Sequence, residues 1–120
     1  MADGDPTYQA DCLFCRIAAG EIPADVVFED EAVIVFRDIN PRAPTHVLAI
    51  PRRHLASAAD LTDADADLLA ALFNAMRHVA DDAALKGYRI VSNVGAESGQ
   101  SVLHLHFHLL GGRAMSWPPG

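Results

Sequence analysis

The sequence predicts a single α+β domain with an antiparallel five-stranded sheet, one long helix and one short helix. Its 120 residues, 51% of them hydrophobic, are enough for one hydrophobic core and too few for two domains. β-Branched and aromatic runs recur at five places, whereas only one segment keeps helical spacing over several turns. A chain dominated by strands, with one long helix packed on one side, is typical of the α+β class.

The first elements along the chain are a short helix and a hairpin. Residues 13–19 have helical spacing and stop at Gly20, which suits the C-terminal cap of a helix. Residues 26–28 and 32–36 are β-branched and aromatic runs separated by three acidic residues, so we expect two strands joined as a hairpin.

A loop, a third strand and the long helix follow. Residues 40–44 form the loop, because their two prolines remove two backbone hydrogen-bond donors. Residues 46–50 form the third strand, which ends at Pro51. The helix begins after Thr62, a suitable N-cap with acidic residues next to it. Its apolar stripe recurs at three- and four-residue steps and consists of Leu68, Leu69, Leu72, Phe73, Met76 and Val79.

The last two strands are predicted at residues 88–92 and 102–110. The second contains the run His104-Leu105-His106-Phe107-His108-Leu109-Leu110. Strict alternation of this kind is the pattern of a strand that is buried on one face. We therefore expect the three imidazoles to share one face of the strand and the apolar side chains between them to point into the core.

Composition excludes several classes of protein. The formal net charge of −7 argues against a nucleic-acid surface, which needs clustered Lys and Arg. No apolar run reaches the roughly 18 residues of a membrane span. The acidic residues 1–5 lack the basic and apolar stretches of a secretory signal, so we expect a cytoplasmic protein. We also expect residues 1–11 to be a flexible N-terminus and residues 12–120 to form the domain.

The only two cysteines, Cys12 and Cys15, are separated by two residues. In a reducing compartment this spacing indicates a metal site or a redox pair. A thioredoxin-like redox turn needs a strand in front of the pair, and no strand-like run precedes Cys12. A metal site needs two further ligands, which histidines elsewhere in the chain can supply.

The histidine run indicates phosphate chemistry. The small residues of 95–101 form a loop before it, whose backbone N–H groups can approach an anion, and Ser101 adds a hydroxyl. A neutral imidazole can attack phosphorus or transfer protons near neutral pH. His106, with a histidine on each side, is the natural nucleophile, and His108 can donate to a phosphate oxygen or to the leaving group. A catalytic zinc on an H-x-H pair and a merely solvated strand face remain alternatives.

The run at residues 104–110 resembles the H-φ-H-φ-H-φ-φ signature, with φ apolar, of the histidine triad (HIT) superfamily. Further landmarks in family order extend the resemblance over nearly the whole chain: Phe14-Cys15-Arg16-Ile17, Gly20-Glu21-Ile22-Pro23, Phe28-Glu29-Asp30, Phe36-Arg37-Asp38-Ile39, Pro44-Thr45-His46, Ile50-Pro51-Arg52-Arg53-His54 and Gly99-Gln100-Ser101-Val102. The tail resembles the histidine triad nucleotide-binding branch in two stretches, Leu110-Gly111-Gly112-Arg113 and Trp117-Pro118-Pro119-Gly120.

This resemblance implies a purine nucleoside phosphoramidase, which cleaves the P–N bond of AMP- or GMP-like phosphoramidates through a nucleotidyl-histidine intermediate. By motif position His106 would be the nucleophile, and His108 and Ser101 would complete the catalytic set at the phosphate. The other nucleotide-binding residues that it implies are Phe14, Asp38, Ile39, Asn40, Asn93, Gly99 and Gln100. The implied assembly is a homodimer, and the implied mechanism uses no catalytic cofactor.

The resemblance also implies a structural zinc. Many bacterial relatives with this cysteine pair bind zinc through it, through the histidine of the Pro-x-x-His landmark and through the first triad histidine. Here these residues are Cys12, Cys15, His54 and His104, with His46 in reserve. Two other functions remain open: hydrolysis of dinucleoside polyphosphates, and a nucleotide-binding scaffold with negligible turnover.

Overall fold

An antiparallel sheet in the strand order β1-β2-β3-β5-β4 forms the centre of the computed structural model, which describes residues 5–120. The strands are β1 (Val26–Glu29), β2 (Val33–Arg37), β3 (Thr45–Pro51), β4 (Tyr88–Val91) and β5 (Phe107–Gly111). The helices are α1 (Leu13–Ala18) and α2 (Ala66–Asp82), with single 3₁₀ turns at Ala58–Asp60, Asp63–Asp65 and Ala96–Ser98. The predicted α+β class, with five antiparallel strands and one long and one short helix, is confirmed.

The predicted cap, Thr62, begins a 3₁₀ turn, and the long helix itself starts at Ala66. The Thr62 side-chain oxygen accepts a hydrogen bond from the Ala64 N–H (3.2 Å), and the Asp65 carboxylate accepts one from the Thr62 N–H (2.9 Å). This capping box satisfies backbone donors that the start of a helix leaves free. One 3₁₀ turn then leads into α2. Within residues 5–120 no helix has the length and apolarity that crossing a membrane requires.

The two faces of the sheet have different partners. On one face α2 packs onto the apolar side chains of the histidine run. The buried residues there include Leu72, Met76, Val79, Leu105, Phe107 and Leu109. The other face carries α1 and a second buried cluster, which includes Phe14, Phe36 and Ile50. The triad histidines alternate with the residues facing α2, and His106 therefore meets Phe14 on the α1 face.

The fifth strand is shorter than the predicted 102–110, because its pairing begins only at Phe107. Ala49 of β3 lies opposite Phe107, and the next residue of β3 on the same side of the ladder is Pro51, which has no N–H to donate. On the other side of β5, the neighbouring strand β4 ends at Val91. No strand is therefore paired with the chain before Phe107, although its side chains still alternate between the two faces.

The segment before α1 contacts the rest of the chain. Residues 1–4, part of the predicted flexible stretch 1–11, lie outside the described residues. The side-chain oxygen of Thr7 accepts a hydrogen bond from the backbone N–H of His54 at 2.7 Å. The division into a flexible N-terminus and a domain at residues 12–120 stays a prediction.

Candidate active site

A cavity of about 350 Å³ opens on the α1 face of the sheet beside the histidine run. Its walls come from α1, from the loops after β2 and β4, and from the residues around the start of β5. Nine of the ten predicted nucleotide-binding residues line it: Phe14, Asp38, Ile39, Asn40, Asn93, Gly99, Ser101, His106 and His108. Its volume falls within the range of small-molecule sites, roughly 300–1,000 Å³.

The tenth residue, Gln100, does not line this cavity and holds the loop behind it. Its amide nitrogen donates to the carbonyl oxygens of Ala56 (2.7 Å) and Val102 (3.0 Å), and its amide oxygen accepts from the N–H of Gly95 (2.8 Å). Gly95 and Gly99 have φ values of 85° and 99°, which side-chain-bearing residues rarely adopt. Buried Gln100 thus fixes the shape of the loop that carries Ser101 to the cavity wall.

The surroundings of His106 favour one tautomer of its neutral imidazole. Its Nδ1 lies 2.7 Å from the carbonyl oxygen of His104, and Nδ1 carries the proton because a carbonyl oxygen only accepts. The Nε2 atom therefore keeps its lone pair. Phe14 meets the ring edge-on at 5.1 Å between centroids and limits its rotation. A neutral imidazole with a free nitrogen, lining a cavity, is equipped for nucleophilic attack.

A chain of hydrogen bonds sets the opposite tautomer in His108. The backbone N–H of Arg42 donates to Nδ1 of His46 (3.0 Å), so His46 carries its proton on Nε2. That Nε2 lies 2.9 Å from Nδ1 of His108 and 3.4 Å from the Asp38 carboxylate. Donation to His108 leaves the proton of His108 on its own Nε2. His108 is therefore a hydrogen-bond donor beside the His106 ring.

Burial keeps this chain of histidines uncharged at neutral pH. Burial, with the neighbouring rings of His106 and His46, lowers the pKa of His108 to about 4, against the opposing charge of Asp38. Burial also lowers the pKa of His46, and Asp38 again opposes the shift. His108 thus donates its hydrogen bond as a neutral imidazole.

His46 is a contributor that the sequence analysis assigned only as a reserve metal ligand. His46 precedes Leu48 by two residues and Ile50 by four along β3, and both of these belong to the buried cluster on the α1 face. That period-two pattern places His46 on the face that carries the triad. The pattern was available in the sequence, but the contact with His108 also requires the pairing of β3 with β5.

The four predicted metal ligands lie together beside the cavity. The ligand atoms of Cys12, Cys15, His54 and His104 all lie within 4.8 Å of one another. The Sγ–Nδ1 distances are 3.3 Å for Cys12–His104, 3.3 Å for Cys15–His54 and 3.6 Å for Cys15–His104, and the two Nδ1 atoms are 3.2 Å apart. A tetrahedral zinc holds sulfur and nitrogen about 3.6 Å apart and two nitrogens about 3.3 Å apart. The donor set fits such an ion.

The protonation of the ligands also suits a metal. The Nε2–H of His104 donates to the carbonyl oxygen of Pro51 (2.9 Å), which leaves the Nδ1 lone pair facing the cysteines. Burial lowers the pKa of His104 to about 4 and raises the pKa of the Cys15 thiol to about 11. A thiolate at this buried position requires a cation beside it, and a bound metal supplies one.

Two other arrangements of ligands fit less well. A zinc shared by His104 and His106 is disfavoured because Nδ1 of His104 faces the cysteines and Nδ1 of His106 is bonded to a carbonyl. Asp38, His46 and His108 also bring ligand atoms within 4.8 Å of one another. The hydrogen bond between the two imidazoles already occupies the facing nitrogens of that group.

Comparison with known proteins identifies the family of this fold. Residues 11–117 match the family described as scavenger mRNA decapping enzyme C-term binding. An uncharacterized HIT-like protein of Synechococcus elongatus is 45% identical over 92% of this chain and 97% of its own length. A 14 kDa zinc-binding protein of Zea mays is 46% identical over 98% of this chain and 91% of its own length.

Solved structures agree with these relatives. A HIT family hydrolase from Legionella pneumophila Philadelphia 1 is 54% identical in sequence, and its structure superposes with a TM-score of 0.90. The match covers 92% of this chain and 100% of that chain. A histidine triad protein from Clostridium difficile is 38% identical in sequence with a TM-score of 0.86. This match covers 90% of this chain and 96% of that chain.

The tautomers can be read directly from long-range ¹H–¹⁵N correlation spectra of the imidazole rings. At pH 7 we expect His106 protonated on Nδ1, because a carbonyl oxygen accepts from it, and His46 and His108 protonated on Nε2. The His108 signals should keep their neutral pattern until the pH approaches about 4. A His108→Gln variant assigns the signals, and an Nε2–H pattern for His106 would contradict the arrangement.

Proposed function

Because the chain belongs to the histidine triad (HIT) family, we propose that it is a purine nucleoside phosphoramidase. In this proposal it cleaves the P–N bond of adenosine or guanosine 5′-phosphoramidates to a nucleoside monophosphate and an amine. The observation that carries the proposal is the His106 imidazole, which lines the cavity with its proton held on Nδ1 and its Nε2 lone pair free. The hydrolases among the similar solved structures support the same reaction class.

The reaction proceeds in two displacements at phosphorus. His106 Nε2 attacks, the P–N bond breaks, and its electron pair leaves with the amine nitrogen, which then takes up a proton. Water attacks the nucleotidyl-histidine in the second step, releases the nucleoside monophosphate and restores the free imidazole. The neutral Nε2–H of His108 donates to a phosphate oxygen during both steps, as does Ser101 from the loop wall.

The nucleoside occupies the part of the cavity between α1 and the loop after β2. Asp38 is fixed there, because its carboxylate accepts a hydrogen bond from the backbone N–H of Asn40 at 2.8 Å. Its remaining acceptor capacity suits the ribose hydroxyls. Phe14 and Ile39 supply the apolar surface for the base, and Asn93, which also lines the cavity, orients the phosphate in this proposal.

Replacing His106 with Ala should lower kcat for adenosine 5′-phosphoramidate at least about 1,000-fold, because it removes the nucleophile. His78→Ala is the matched control, since His78 is an exposed histidine on α2 away from the cavity. Mass spectrometry of a quenched reaction should find AMP attached to His106. Near-normal turnover by His106→Ala would contradict the mechanism, and a higher kcat/KM for dinucleoside polyphosphates would change the substrate class.

We also propose that Cys12, Cys15, His54 and His104 hold one structural zinc. Two thiolates and two imidazoles close a tetrahedral site and leave no position for water, so the role of the metal is stability. The zinc-binding relative from Zea mays supports the choice of metal. The expected cytoplasmic location is part of this proposal, because a reducing compartment keeps both thiols available to the ion.

Protein purified without added metal should contain about one zinc per chain by elemental analysis. Cys12→Ser should lose the zinc and lower the melting temperature by at least about 5 °C, because metal binding and folding are coupled. The same variant should retain more of its chemical rate than His106→Ala. Metal-free protein with Cys12 and Cys15 joined in a disulfide would contradict this site and favour a redox pair.

A homodimer is the proposed assembly. β4 is an edge strand of the sheet, and Tyr88 on it is 44% exposed. Arg89 donates to the Ser116 carbonyl and lies 5.9 Å from the Trp117 ring, which holds the tail beside that edge. Trp117 itself is 80% exposed. An open strand edge next to large exposed aromatic side chains supports pairing with a second copy.

Sedimentation at micromolar concentration should show a species of twice the 12.9 kDa chain mass. Truncation after Arg113 should remove apolar surface from the interface and change substrate selectivity more than the melting temperature. A monomer at every concentration tested, with unchanged selectivity in the truncated protein, would contradict the proposed assembly.

A further inference from the structure

A second cavity, of about 360 Å³, adjoins the proposed active site. Both cavities are lined by Leu13, Ser101 and Val102. The two cavities therefore meet at the start of α1 and at the end of the loop that carries Ser101. Ser101 is the residue that the proposed mechanism places beside the phosphate. The second cavity is completed by the segment before α1, including Asp11, and by Leu103. A substrate with its phosphate at Ser101 can therefore extend into either cavity.

The chemistry of the second cavity differs from that of the first. Leu13 and Leu103 are 45% and 64% exposed and line the same cavity, so together they offer an apolar surface for an alkyl group. Asp11 supplies the one carboxylate, and no Lys, Arg or His lies among the residues that line the cavity. In the described part of the chain, no cationic side chain forms a salt bridge with Asp11.

We propose that this second cavity is the subsite for the leaving amine and that it selects amines whose alkyl chain ends in a cation. This inference rests on the phosphoramidase function proposed above. The alkyl chain packs on Leu13 and Leu103, and its terminal ammonium faces the Asp11 carboxylate. The nucleoside occupies the first cavity, so Ser101 lies at the P–N bond between the two groups.

Charge complementarity decides between occupants of the second cavity. A dinucleoside polyphosphate would leave as a nucleotide carrying several negative charges, and it would meet Asp11 with no cation to compensate. The net charge of −7 on the chain adds to this repulsion. An anionic leaving group is therefore disfavoured, and a cationic one is attracted.

The test uses three adenosine 5′-phosphoramidates with leaving amines of nearly equal length: 1,5-diaminopentane, pentylamine and 5-aminopentanoate. Wild-type kcat/KM should fall in that order, with the cationic substrate about tenfold better than the anionic one at low salt. Asp11→Asn should reduce this ratio about threefold or more, because it removes the carboxylate. The ratio should also fall in high salt, which screens exposed charges.

Asp82→Asn is the matched control, because it makes the same change of charge at an exposed position of α2 on the far face of the sheet. Equal kcat/KM for the three substrates in the wild type, or equal effects of Asp11→Asn and Asp82→Asn, would overturn the subsite and leave the proposed function standing. Failure of the wild type to hydrolyse any of the three and the unsubstituted phosphoramidate would overturn both.

Discussion

The burial of His104 is the constraint on which the rest of the site depends. Its side chain is fully buried, and both of its ring nitrogens and its backbone carbonyl have partners. Nε2 donates to the Pro51 carbonyl, Nδ1 faces Cys12 and Cys15, and the backbone carbonyl accepts from His106. His104 thus belongs to the Cys12-Cys15-His54-His104 cluster and also sets the tautomer of His106, the proposed nucleophile. A shift of the His104 backbone would move the carbonyl that holds the His106 proton on Nδ1.

The lining of the first cavity indicates how an acidic chain would bind the phosphate of the proposed substrate. Arg37 is the one Arg or Lys among the residues lining the first cavity, and it already pairs with Asp25 at 3.2 Å. In the proposed function, phosphate recognition then comes from neutral donors, which are the imidazole of His108, the hydroxyl of Ser101 and backbone N–H groups of the loop. Such donors act strongly where water is excluded, and they add no charge that would attract other anions.

The division of the sheet into two faces leaves one of them free for chemistry. α2 covers one face with an apolar core, which supplies most of the buried side chains. Among the described residues, the α-helix on the opposite face is α1, which has six residues and is too short to be stable in isolation. Its position therefore depends on Phe14, packed against Phe36 and His106, and on the two cysteines beside the buried histidines. The anchored helix is also a wall of the cavity.

The sequence by itself determined the strands, the helix cap at Thr62 and the faces taken by residues 104–110, because these depend on residues only a few positions apart. Only the tertiary structure decided where the last strand begins, because pairing requires partners on both neighbouring strands: β4 ends at Val91, and Pro51 of β3 has no N–H to donate. The contact between His46 and His108, 62 positions apart, depends on the register of two strands. Gln100 fixes the conformation of the loop at residues 95–101, because its buried amide must form hydrogen bonds and does so with the backbone groups of Gly95 and Ala56. Long-range register and burial are properties of the folded chain, and no local pattern encodes them.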